Sequence, residues 1–135
     1  MSFVIRHIKA IMLVSGALTS TMLLAALAPA TALHSTFGET LSGPLAELVV
    51  RNWGILIAMI GVMLISGAVN PEHRRVSLLM AIVSKVAFIG LVLSNGTRYL
   101  AYGAGTAVLV DGAMVAVFVA YLAATHRDAA QHAHS

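Results

Sequence analysis

VSLLMAIVSKVAFIGLVL, residues 76–93, decides the fold. The stretch is apolar almost throughout, is bounded by Arg74-Arg75 before it and Ser94-Asn95-Gly96-Thr97-Arg98 after it, and carries a single charge, Lys85, near its middle. About 20 residues at helical rise cross the roughly 30 Å of a bilayer's hydrocarbon. The run therefore predicts a transmembrane helix over 76–94, with the arginines at its water boundary.

Working outward, three further runs pass the same test, over about 10–33, 49–69 and 99–124. The composition agrees: 59% of the 135 residues are hydrophobic and 10% charged, with a mean hydropathy of +0.92. A soluble domain carries about 25% charged residues. The expected fold is all-α, a single polytopic transmembrane bundle of four helices. The connection from His34 to Leu48 holds Gly38, Gly43, Pro44, Glu39 and Glu47 and reads as a surface loop. Pro71 lacks a backbone donor and biases Asn70 away from helix, which ends the second run. Ser94–Arg98 reads as a tight turn, and residues 125–135 as a flexible polar tail. No internal repeat is visible.

Lys and Arg counted on alternating sides set the orientation, because cytoplasmic flanks carry the excess. Arg6, Lys9, Arg74, Arg75 and Arg127 face Arg51 and Arg98, which predicts cytoplasmic N and C termini. Trp53, Tyr99 and Tyr102 then fall at the outer boundary and Tyr121 at the inner one. Arg6, His7 and Lys9, followed by apolar residues and Ala30-Thr31-Ala32, also have the layout of a signal peptide. An h-region of about 7–15 residues is shorter than the stretch from Ala10 to Ala28, so the segment is read as a span.

Several chemistries are excluded. The basic residues are scattered over the segment ends, with Arg74-Arg75 the one adjacent pair, and form no patch for nucleic acid. With no cysteine there is no disulfide, thiolate site or cysteine nucleophile. All six histidines lie outside the predicted spans, so no haem is held between helices, and His126, His132 and His134 lack the partners of a metal site. No cofactor, metal or catalytic residue is expected, since no Ser/His/Asp set shares a depth.

Lys85 and Asp111 are the candidates for function. Each costs about 2.5–3.5 kcal/mol at mid-membrane, so their survival in one small chain calls for a reason. Measured from the turn at Gly96 and Thr97, they lie about 17 and about 22 Å down antiparallel helices, a difference a lysine side chain spans. Leu78, Ile82, Lys85 and Ile89 share one helix face, as do Ala104, Ala107, Asp111, Val115 and Phe118. Such a pair either fixes helix register or binds an ion, proton or polar ligand. Ser15, Thr19, Ser20 and Ser84 sit near the same depth and either line a polar cavity or bond backbone carbonyls. His34, Glu39, Glu47, Arg51, Asn52 and Arg98 gather at the outer rim, with Glu47 and Arg51 at i, i+4 spacing. Small-residue stripes, Gly54-Ala58-Gly61 and Gly112-Ala116-Ala120-Ala124, suit close helix packing within the bundle, or a homo-oligomer or other membrane subunits.

With Arg51-Asn52-Trp53-Gly54, Gly67-Ala68, Arg74-Arg75 and Ser84-Lys85, the chain from the second helix to the end of the third resembles small bacterial four-helix membrane proteins, loosely those of the DoxX-like group. The resemblance implies a four-helix fold and a bacterial inner-membrane address, and no activity for particular residues. The expected function is an accessory, assembly or lipid- or quinone-associated membrane protein, with membrane lipid as its partner. A small ion- or proton-coupled transporter using Lys85 and Asp111 is the second reading, and an enzyme on a lipophilic substrate the least supported.

Overall fold

The computed structural model describes residues 2–133, so His134 of the histidine-bearing tail lies outside it. These residues are all-α without strands, and four helices are long and apolar enough to cross a membrane: Phe3–Leu27, Pro44–Val69, Pro71–Leu93 and Gly103–Gln131.

The first span is not the single helix over 10–33 that its hydropathy suggests. Helix α1 (Ser2–Ser20) passes through a 3-10 turn (Thr21–Leu23) into the short α2 (Leu24–Leu27) and stops at Ala28, whose φ of −139° and ψ of 73° are not helical. Pro29 causes the stop: its ring crowds Ala28 and its nitrogen cannot continue the hydrogen-bond ladder. The same proline suits a first helical turn, and it starts α3 (Pro29–Phe37), which covers the end of the expected first span and runs on through 34–37 of the expected loop. Gly38 ends α3 at φ 76°, a left-handed conformation that an L side chain resists, and a Cβ there would collide with the Tyr102 ring.

Helix α4 (Pro44–Val69) starts a turn before the expected residue 49, with Pro44 in its first turn and Glu47 toward its positive end. Asn70 alone separates it from α5 (Pro71–Leu93), which takes in the Pro71–Arg75 segment expected to lie outside the span. Asn70 Oδ1 accepts from Glu72 N at 3.1 Å, capping α5. Arg74 serves the other helix, donating to the Gly67 and Ala68 carbonyls at 3.0 Å each and so satisfying acceptors that a helix end leaves open.

The α5–α6 connection is longer than the expected turn, because α6 (Gly103–Ala133) begins at Gly103 rather than Tyr99. Tyr99 packs edge-on to Phe37 with ring centroids 5.3 Å apart, and Tyr102 lies against Gly38, so this segment is drawn sideways onto α3. At its far end α6 stays helical to Ala133, where a polar tail is expected from residue 125. Ala129 and Ala130 are strong helix formers and no Gly or Pro follows Gly112 to stop them.

The helices pack in the ring order α1, α4, α5, α6. Gly16 of α1 and Gly61 of α4 bring two backbones together: a Cβ on Gly61 would stand 2.7 Å from the Gly16 carbonyl oxygen. The Gly54-Ala58-Gly61 stripe thus packs within the chain, whereas Gly112 and Ala116 of the α6 stripe face outward. One core cluster joins Ile8 and Met12 of α1, Leu64 of α4, Leu78 of α5 and Met114 and Phe118 of α6. A second, of Ala25, Ala32, Leu33 and Val50, fills the opposite end under α3. Outward-facing leucines such as Leu109 (77% exposed) and Leu91 (70%) leave an apolar outer surface, as helices long and apolar enough to cross a membrane do.

Candidate functional site

Between the two core clusters the bundle leaves a cavity of about 450 Å³, walled by every long helix and roofed by Ser35 and Thr36 of α3. Its sides are apolar: Met22, Trp53, Ile57, Ile60, Phe88, Val110 and Met114. Its polar end is Lys85. The ammonium donates to Asp111 Oδ1 at 2.8 Å and to Thr19 Oγ1 at 3.2 Å, joining α5, α6 and α1 at one point. The Lys85 side chain is 7% exposed and that of Asp111 18%, so the carboxylate is the more open member of the pair.

The late start of α6 accounts for the match in depth. Lys85 precedes the end of α5 by as many residues as Asp111 follows the start of α6, which places both about 12 Å below the helix ends. The mismatch expected from the sequence is absent, and the lysine side chain reaches across a short gap between antiparallel neighbours.

The four hydroxyl residues expected near this depth divide. Thr19 and Ser84 line the cavity. Ser15 is buried one turn before Thr19 and does not reach the cavity wall. Ser20, about 100° further round the helix than Thr19, faces Gly61 of α4 instead, and its Oγ is buried without a hydrogen-bond partner. Thr21, Ser35, Thr36 and Thr106 also line the space and escape a reading of the sequence. Ser35 and Thr36 stay hidden in a sequence read as a span over 10–33 and a loop from His34, because only the break at Ala28 turns α3 over the cavity. Thr106 carried a signal, being next to Ala107 on the Asp111 face.

The cavity is not sealed from the side. Leu18 and Thr21 on one edge and Thr106 and Val110 on the other line it and are exposed, Leu18 by 51% and Val110 by 40%. A window therefore lies between α1 and α6, closed below by the Met12, Met114 and Phe118 packing and above where Gly103 approaches the Ser35 carbonyl.

The outer-rim residues do not form one cluster. Arg98 pairs with Glu39 at 2.6 Å, and Arg51 lies 3.9 Å from Glu47 while also donating to the Ala26 carbonyl; His34 and Asn52 are exposed and join neither pair. The hydrogen bond and charge of Glu39 raise the Arg98 pKa above its ordinary value. A raised folded-state pKa gives stability that is complete below the ordinary value and lost as pH climbs through the raised one, so Arg98 stays charged at neutral pH and its contribution there is complete. Among the described residues no His, Asp or Glu group is arranged to hold a metal. Comparison with protein-family models, with curated proteins and with solved structures gives no match to this chain.

Proposed function

We propose that this chain is a non-enzymatic accessory or assembly protein of the bacterial inner membrane, whose cavity holds a lipid- or quinone-like molecule. The observation that carries the reading is the cavity itself: apolar walls, one polar end at Lys85, Asp111 and Thr19, and a side window toward lipid. Pockets of about 300–1,000 Å³ with few convergent polar groups are the usual form of small-molecule sites.

The polar end favours a particular head. A lysine ammonium has three N–H groups, and Asp111 and Thr19 take two of them. The third suits a carbonyl oxygen. At about 12 Å below the helix ends, an uncharged ring bearing carbonyl acceptors reaches this point at less desolvation cost than a phosphate head would. Transport has less support, because an ion leaving the pair away from the cavity meets the apolar packing of Met12, Leu78 and Phe118. The cytoplasmic placing of both termini rests on Arg6, Lys9, Arg74, Arg75 and Arg127 against Arg51 and Arg98.

Trp53 is the only tryptophan and lines the cavity, so its fluorescence reports occupancy. In detergent-purified protein, a benzoquinone with a decyl chain is expected to quench it saturably, and Ala107→Phe, which fills the space, to abolish saturation. Quenching that stays linear and unchanged in Ala107→Phe would exclude the reading. Proton or cation flux in proteoliposomes that disappears in Asp111→Asn would replace it with transport.

A further inference from the structure

A second cavity, of about 240 Å³, lies at the opposite end of the bundle, between the first turns of α5 and the stretch of α6 around Tyr121. Arg74, Arg75 and His126 line it together with Tyr121, Leu122 and Thr125, and no carboxylate does. Two arginines with no anion between them repel, and an anion that reaches both is attracted by both. Arg74 is held in place by its bonds to the Gly67 and Ala68 carbonyls, which leaves part of its guanidinium fork unused. Arg75 is exposed and makes no hydrogen bond or ion pair with a described residue; the Tyr121 hydroxyl likewise has no partner among them.

The surface next to this cavity shows what kind of anion fits. Leu79 and Val83 follow Arg75 at intervals of one helical turn on the same face and are 43% and 65% exposed. A basic head site thus continues into an apolar track along the outside of α5, where lipid chains lie. Free phosphate has no use for that track.

We propose that this pocket binds the phosphate of an anionic phospholipid, with Arg74 and Arg75 as its cationic ligands, Tyr121 as a hydroxyl donor and the acyl chain lying along Leu79 and Val83. It is separate from the central cavity and does not depend on what that cavity holds. Basic pockets between helices at the membrane boundary recognise such head groups, and a basic residue near an anionic membrane surface adds roughly fivefold in affinity.

The test is native mass spectrometry of the full chain from mild detergent carrying phosphatidylglycerol and phosphatidylcholine with identical acyl chains, alongside thermal unfolding with each lipid. The expected result is enrichment of phosphatidylglycerol by several-fold and a higher Tm with that lipid alone. Arg75→Gln should remove about fivefold of the enrichment. Arg74 is left intact because it also caps α4. Should Arg75→Gln fail to accumulate, the wild-type protein still decides the matter, because the enrichment must fall as sodium chloride is raised. Equal retention of the two lipids, or enrichment indifferent to both Arg75→Gln and salt, would overturn the proposal. Inorganic phosphate giving the same rise in Tm as phosphatidylglycerol would reassign the pocket to a free anion.

Discussion

Lys85 shows how one residue can be both a cost and an organiser. Its charge is compensated by Asp111 at 2.8 Å and by Thr19 at 3.2 Å, so removing the carboxylate strands an ammonium in an apolar bundle. Asp111→Asn is expected to lower stability by about 3 kcal/mol in detergent unfolding, and the exchange Lys85→Asp with Asp111→Lys to recover much of that. Single variants that unfold like wild type would show that the pair does not stabilise the bundle. The pair was legible in the sequence because two charges in apolar runs are conspicuous by their cost. Thr19 could be named but not assigned, since a threonine in a membrane helix bonds its own backbone at no visible penalty, and only the approach of α1 to α5 gives it the lysine.

Among the elements, the glycines separate two kinds of small-residue stripe that read alike in sequence. At Gly61 a Cβ would meet the Ser20 nitrogen at 2.6 Å and the Gly16 carbonyl oxygen at 2.7 Å, whereas at Gly112 it would meet nothing within 4 Å. Backbone atoms cannot swing aside as a flexible side chain can. Gly61→Ala is expected to cost about 1–3 kcal/mol through overpacking, while Gly112→Ala is neutral or gains up to about 1 kcal/mol in helix propensity, both read by unfolding in the same detergent. Equal effects at the two positions would mean that α1 and α4 do not pack this closely. Hydropathy made α4 and α5 legible, because an uninterrupted apolar run leaves little else for the chain to do. It hid the break at Ala28 and the separate α3, because apolar residues continue on both sides of Pro29 and hydropathy does not record direction.

For the whole molecule, four spans place residues of the α3–α4 connection and residues at the end of α6 on opposite sides of the membrane. The chain contains no cysteine, so a single one introduced by Thr40→Cys or Gln131→Cys is an unambiguous label. With cytoplasmic termini, a membrane-impermeant maleimide applied to intact cells labels Thr40→Cys and spares Gln131→Cys; the reverse pattern would invert the orientation. Number of spans and charge bias were both available from sequence, since each depends on composition along the chain. A polar cavity was available only as one of two readings of Ser15, Thr19, Ser20 and Ser84; its apolar walls and side window were not, because they arise between segments far apart in the chain.

The hydrogen bonds of Lys85 also carry a consequence for how the protein is made. Synthesis runs from the N-terminus, and Asp111 follows Lys85 by 26 positions, whereas Thr19 precedes it by 66. When the third span leaves the ribosome, a hydroxyl is the only one of its two partners already in the bilayer. The counter-charge follows only with α6, so until then the Lys85 ammonium has Thr19 alone, and the ion pair that joins α5 to α6 is the last of its contacts to close.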